Sequence, residues 1–170
     1  MPTSLMKALK TAYEAEKEGL RAYLKYAKQT KVGTGKNMFV QLAMDEVDHM
    51  ELIEKFIEKT MAGQPIEQVN IPKGRLSKFM PTTKDLNQKI IEKSSLGDED
   101  ALKVALAHEE KAMNFYLEEA KNSSDEKVKD FFLKLAEVEK KHFEIIKAEL
   151  DFVSSDGFWF DTQEFSVEDL

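Results

Sequence analysis

Apolar and small side chains recur at Leu5, Ala8, Leu9, Ala12, Leu20, Tyr23, Leu24 and Ala27, the three-and-four spacing of one buried helix face. This spacing predicts a first helix from about Ser4 to Thr30. Glu16 falls on the same face, four residues after Ala12 and seven before Tyr23. The segment VGTG, residues 32 to 35, breaks the pattern, and Thr34 is the expected cap of a second helix running to about Ala62. So short a link makes the two helices antiparallel neighbours. The apolar stripe of the second helix carries Phe39, Leu42, Ala43, Ile53 and Phe56, with Glu46 and His49 in its middle. Residues 63 to 97 hold Gly63, Pro65, Pro72, Gly74, Pro81 and Gly97 and read as a crossover. A short helix is expected within it from Asp85 to Ser94, which leaves enough chain to run the length of a bundle of about 40 Å. A third helix follows from about Glu99 to Asn122. Ser123 and Glu126 then form a capping-box pattern that opens a fourth. The tail beyond residue 152 carries Phe158, Trp159, Phe160 and Phe165, too apolar for a free acidic tail, and is expected to cover the bundle or a subunit partner, with docking on its own chain the favoured reading.

The second half repeats the first. Ala8-Leu9-Lys10 returns as Ala101-Leu102-Lys103, Tyr23-Leu24 as Tyr116-Leu117, and Phe39, Leu42, Ala43 and Ile53 as Phe132, Leu135, Ala136 and Ile146. Every pair is separated by 93 positions, no gap is needed, and about a third of the 48 aligned positions are identical. The polar residues of the buried faces follow the same rule: Glu16 returns as Glu109, Glu46 as Glu139 and His49 as His142. Two hairpins of one design joined by a long crossover between helices two and three predict an all-α four-helix bundle with internal pseudo-two-fold symmetry. The 170 residues make one domain, with the bundle at about 4 to 152, the crossover at 63 to 97 and the aromatic tail at 153 to 170.

Composition narrows the chemistry. The chain has no cysteine, which excludes disulfides, thiolate metal sites, iron–sulfur clusters and thiol catalysis. Any metal is held by oxygen and nitrogen. A net charge of −7 without a basic cluster argues against nucleic-acid partners. No apolar run is long enough to span a bilayer, and the first ten residues lack the apolar core of a secretory signal, so the expected location is cytoplasmic and no membrane partner is expected.

On a helix, residues three apart project from one face about a turn apart, so the Glu46–His49 and Glu139–His142 pairs can each reach one ion. The repeat converges Glu16, Glu46, His49, Glu109, Glu139 and His142 on the middle of the bundle. Four carboxylates in an apolar interior cost several kcal/mol each unless positive charge sits among them. Two divalent cations balance four carboxylates, and the oxygen-plus-imidazole donor set suits iron or manganese, with zinc also accepted. The alternatives are a metal-free bundle with partly exposed acids and, for each histidine alone, a hydrogen-bonded core residue. Tyr23 and Tyr116, seven residues beyond Glu16 and Glu109, are candidates to hydrogen-bond those carboxylates. His108 neighbours Glu109 but points about 100° away from it.

One glutamate on helices one and three with Glu-x-x-His on helices two and four resembles the ferritin-like dimetal-carboxylate proteins. The segments AEKEGLRAY and LAMDEVDHMELIEKF look most like the rubrerythrin group. The resemblance covers about residues 4 to 152. It implies that the six residues are metal ligands and that two iron ions carry redox chemistry with hydrogen peroxide or dioxygen. The chain departs from rubrerythrins proper in lacking a cysteine-rich rubredoxin domain, which implies an external electron-donor protein. It also has Ala112 where they carry a further glutamate. The leading expectation is a di-iron oxidoreductase, as a homodimer. The alternatives are a ferroxidase and iron-storage protein forming a cage, and a metal-stabilised structural or binding bundle.

Overall fold

Periodic apolar faces and long Gly/Pro-free stretches give four helices in the order expected. The structure, a computed structural model, describes residues 3–64, 71, 74, 92–93, 97–156 and 158–159. Helix α1 spans Thr3–Gln29, α2 Gly33–Met61, α3 Asp98–Asn122 and α4 Glu126–Asp156. A short antiparallel pairing joins β1, Glu92–Lys93, to β2, Phe158–Trp159, with Glu92 opposite Trp159 and Lys93 opposite Phe158. The α1/α2 and α3/α4 hairpins pack closely along their lengths, while α1 and α3 touch much less. Among the described residues no helix is long and apolar enough to cross a membrane.

Local chemistry explains where the helix boundaries differ from the sequence expectation. The cap of α2 is Val32, in an extended conformation with no side-chain cap, rather than Thr34, which lies inside the helix. Gly35 admits a neighbour instead: a Cβ there would lie 2.5 Å from the Trp159 ring. At the start of α4, Asp125 rather than Ser123 is the cap. Its Oδ1 accepts the amides of Lys127 at 2.8 Å and Val128 at 3.3 Å, while the Ser123 hydroxyl donates to the Asp125 carbonyl. A carboxylate outcompetes a hydroxyl here because it also meets the positive end of the helix dipole. Gly97 turns into α3 at φ 98, a left-handed conformation that favours glycine. The short helix expected over 85–94 is contradicted at Glu92 and Lys93, whose backbone pairs with β2. The remainder of that stretch lies outside the described residues.

The tail docks on its own chain through Trp159. Its ring is fully buried, meets Phe39 edge-on at 6.0 Å, and donates Nε1–H to Asp98 Oδ2 at 2.9 Å. Phe160 and Phe165 lie outside the described residues. Burying a side chain of this size contributes roughly 2 to 3 kcal/mol. Leu24 and its repeat mate Leu117 depart from the buried face, at 52% and 45% exposed. Tyr23 and Tyr116 occupy the inward direction, and the next residue of a helix turns about 100° away.

The apolar core is divided in two. One cluster holds Leu9, Phe56, Tyr116, Phe131, Phe132 and Leu135, the other Tyr23, Phe39, Leu42, Leu102, Ile146 and Trp159. The repeat is visible in the rings, since Tyr23 stacks on Phe39 at 6.4 Å as Tyr116 stacks on Phe132 at 6.1 Å. Between the clusters lies a band of buried polar side chains.

Candidate metal centre

That band is the set of six predicted residues. Glu16, Glu46, His49, Glu109, Glu139 and His142 are each 2% exposed or less, and all four helices contribute. They form two overlapping groups, Glu16, Glu46, His49 and Glu139, and Glu46, Glu109, Glu139 and His142. In each group one donor atom per residue lies within 4.8 Å of the others. Glu46 and Glu139 belong to both. The pair three residues apart on α2 and its copy on α4 thus supply the shared carboxylates, and α1 and α3 supply one outer carboxylate each.

Hydrogen bonding leaves this cluster incomplete. His49 Nδ1 has a Glu16 oxygen at 3.2 Å, a Glu139 oxygen at 3.1 Å and a Glu46 oxygen at 3.4 Å. His142 Nδ1 has Glu139 at 3.2 Å and Glu109 at 3.6 Å. One N–H cannot satisfy several carboxylates at once. Glu46 Oε2, Glu109 Oε2 and Glu139 Oε1 are buried without any hydrogen-bond partner. Stranded anionic oxygens facing one another beside two imidazole nitrogens fit the donor demands of hard divalent cations.

Without a cation, protons do the neutralising. Burial, then the neighbouring Glu16 and Glu139, pushes Glu46 well above the ordinary carboxylate range. Burial and Glu139 raise Glu109 to about 8 against the lowering effect of His142. Burial disfavours charge on both imidazoles, but Glu139 and Glu16 around His49, and Asp45, Glu109 and Glu139 around His142, hold both well above their usual value. Burial opposes ionisation of Glu139 too, yet the two histidines keep it well below the usual carboxylate value. A site that gathers protons in this way releases them when metal enters.

The supporting residues are arranged crosswise. Tyr23 of α1 donates its hydroxyl to Glu109 Oε1 on α3, and Tyr116 of α3 donates to Glu16 Oε1 on α1. Each tyrosine therefore holds the outer carboxylate of the opposite hairpin, where the sequence suggested only that it would hold one. Burial, with Glu109 and Glu46 nearby, keeps the Tyr23 phenol well above its normal value, so it remains a donor.

Three residues escaped the sequence reading. Asp45 Oδ2 lies 3.1 Å from His142 Nε2, which leaves Nδ1 to face the carboxylates. Its signal was its place beside Glu46, but its repeat mate is Val138 and the repeat pointed away from it. Gly74 of the crossover passes over the same imidazole: a Cβ there would sit 2.7 Å from His142 Nε2 and 2.9 Å from Asp45 Oδ2. Only glycine permits that approach, and nothing in the local sequence marks it. Gly19 likewise makes room for His108, whose Nε2 would be 2.7 Å from an added Cβ. His108 itself belongs to neither group of donors. Asp45→Ala is expected to weaken metal binding by about tenfold to a hundredfold, mainly at the position served by His142, as read by competition with a coloured chelator. Unchanged affinity would deny Asp45 this orienting role.

A family model described as Rubrerythrin matches residues 7–150. No curated protein matches the chain. Among solved structures the chain is similar to a hypothetical protein from Pyrococcus furiosus, at 22% identity and a TM-score of 0.65, covering 89% of this chain and 91% of that one. At that identity the likeness speaks to fold alone, and it agrees with the four-helix bundle. The doubled carboxylate–imidazole cluster in a ferritin-like bundle, together with a family match over residues 7–150, shows that the chain belongs to the rubrerythrin family.

Proposed function

We propose that the chain is a di-iron oxidoreductase of rubrerythrin type that reduces hydrogen peroxide or dioxygen with electrons from a separate donor protein. The observation that carries this reading is the pair of shared, buried carboxylates, Glu46 and Glu139, each with an oxygen that no protein group satisfies. Glu16 and His49 on one side and Glu109 and His142 on the other would complete the two positions. When bound, an iron pair supplies the two redox equivalents that break an O–O bond. The protein's own contribution is to hold the donors still and keep bulk water out. Tyr23 and Tyr116 fix the outer carboxylates by donating to one oxygen of each, and so leave the other oxygen to the metal side. Asp45 fixes the His142 ring through Nε2. A cytoplasmic location and a homodimer complete the reading.

Protein reconstituted with ferrous iron is expected to carry about two ions per chain and to consume hydrogen peroxide when a one-electron donor protein is supplied. Two bound ions with no peroxide or dioxygen turnover would defeat the oxidoreductase reading. Elution as a closed cage of many subunits would favour iron storage instead.

A further inference from the structure

The internal repeat fails at two positions on the facing sides of α1 and α3. His108 stands where the first half has Ala15, and Ala112 where it has Gly19. On one half of the interface the His108 ring fills the space between the helices. It sits over Gly19, where an added Cβ would also lie 3.3 Å from the carboxyl carbon of Glu46, and it meets Tyr23 edge-on at 6.1 Å. On the other half Ala15 and Ala112 border the equivalent space with no ring to fill it. A groove of about 700 Å³ opens there, walled by Met6, Thr11, Ala15, Ala112 and Phe115 with His108 at its inner end.

Hydrogen peroxide requires no such volume, which is ample for an organic ligand. From Met6 to Glu18 the α1 wall runs about 18 Å. The charged residues lining the groove are Lys7, Lys10, Glu14, Glu18 and Lys111. Lys7 and Lys10 line the end far from His108, and neither is paired with an acid among the described residues. Near the middle, Glu14 is already engaged by Lys17 at 3.1 Å. At the other end His108 lies over Gly19, where the groove lining comes near the Glu46 carboxyl group, with Glu18 and Lys111 also in the wall.

We propose that this groove binds an amphipathic organic acid, with the alkyl chain against Met6, Ala15, Ala112 and Phe115 and the carboxylate at Lys7 and Lys10, and that the substrate is a hydroperoxide of this class. The substrate assignment rests on the peroxide-reducing reading above. Turnover breaks the O–O bond of the hydroperoxide, consumes two protons from solvent and two electrons from the donor protein, and yields the alcohol and one water. His108, seated between groove and carboxylates, positions the reacting end.

Calorimetry with dodecanoic acid tests the binding site on metal-free and metal-loaded protein alike. Wild type is expected to bind. Ala15→Phe, which fills the groove, and the surface pair Lys7→Glu with Lys10→Glu, which reverses its charge, are each expected to weaken binding by about tenfold or more. In the loaded enzyme the kcat/KM ratio for linoleic acid hydroperoxide over hydrogen peroxide should fall by a similar factor. The charge-reversed pair is exposed and tests the idea even where Ala15→Phe fails to fold. No dodecanoate binding by wild type, or equal binding by the variants, overturns the groove as a ligand site and leaves peroxide reduction standing. Binding without turnover of either peroxide overturns the substrate assignment and the function on which it rests. If Ala15→Phe splits a dimer and wild-type binding is absent, the groove is an interface between copies and the proposal fails.

Discussion

A Glu139→Gln chain is expected to lose metal at both positions, whereas Glu16→Gln loses it at only one. Glu139 belongs to both groups of donors and Glu16 to a single group. The substitution is nearly isosteric, so the core around it has little reason to collapse. It replaces a carboxylate by a neutral amide and removes one of the two anionic groups that every ion in the site must share. Glu46→Gln should behave as Glu139→Gln does, and Glu109→Gln as Glu16→Gln. Elemental analysis after dialysis against a weak chelator gives the count, and circular dichroism confirms that each variant is folded. A Glu139→Gln chain that kept two tightly bound ions would mean that the bundle does not use this carboxylate as a common ligand.

Metal-loaded protein should melt on the order of 10 °C above the metal-free form at neutral pH and a large excess of free metal over its dissociation constant. This gap should shrink on acidification. In the metal-free chain Glu46, Glu109, His49 and His142 all have folded-state pKa values above their unfolded ones, with Glu109 at about 8. Their stabilising protons are fully in place below the unfolded values, about 4.3 for Glu and 6.5 for His, and are lost as pH rises through the folded values. Glu139 runs the other way: its contribution is present above the unfolded value and is lost as pH falls through its depressed folded value. Between about pH 5 and 8 the contribution of Glu139 is already complete and constant while the four raised groups lose theirs, so the metal-free protein loses stability as pH rises. The same protons compete with metal, so the loaded form weakens in the opposite direction. Paired thermal melts at pH 5.5 and 7.5 check both arms. A gap that is absent at pH 7.5, or larger at pH 5.5, would show that the carboxylates are not gathered around a common site.

The bundle and the six polar residues were legible because each rests on a periodic signal that occurs twice. Glu16 alone is an acid at the edge of a stripe. Glu16 with Glu109, 93 residues apart and each followed seven residues later by tyrosine, is a buried position. What the sequence concealed depends on contacts between distant segments. The approach of Gly74 to His142 and of Trp159 to Gly35 joins residues 68 and 124 positions apart, and no periodicity records such distances. The caps were misread for a different reason: Ser123 and Thr34 are good capping residues, but Asp125 makes the stronger bonds at α4, and α2 starts after Val32 with no side-chain cap at all. Asp45 shows the limit of the repeat as a guide, since agreement between the halves marked the donors and could not mark a residue that only one half possesses.

That last residue has a consequence for how two ions would share the site. Two separate copies of one hairpin would carry the same side chain at every equivalent position, and a symmetric pair of ions would be indistinguishable. Joined in one chain, the halves are free to differ, and Asp45 accepts a hydrogen bond from His142 while Val138 stands in the matching place near His49. An imidazole backed by a carboxylate is the more basic donor. The ion beside Glu109 and His142 would then be the resident one, slow to exchange, and the ion beside Glu16 and His49 the first to depart and the last to return. Covalent linkage of the hairpins would thus let the sequence choose which of two ions is held more firmly, a choice that two identical halves could not make.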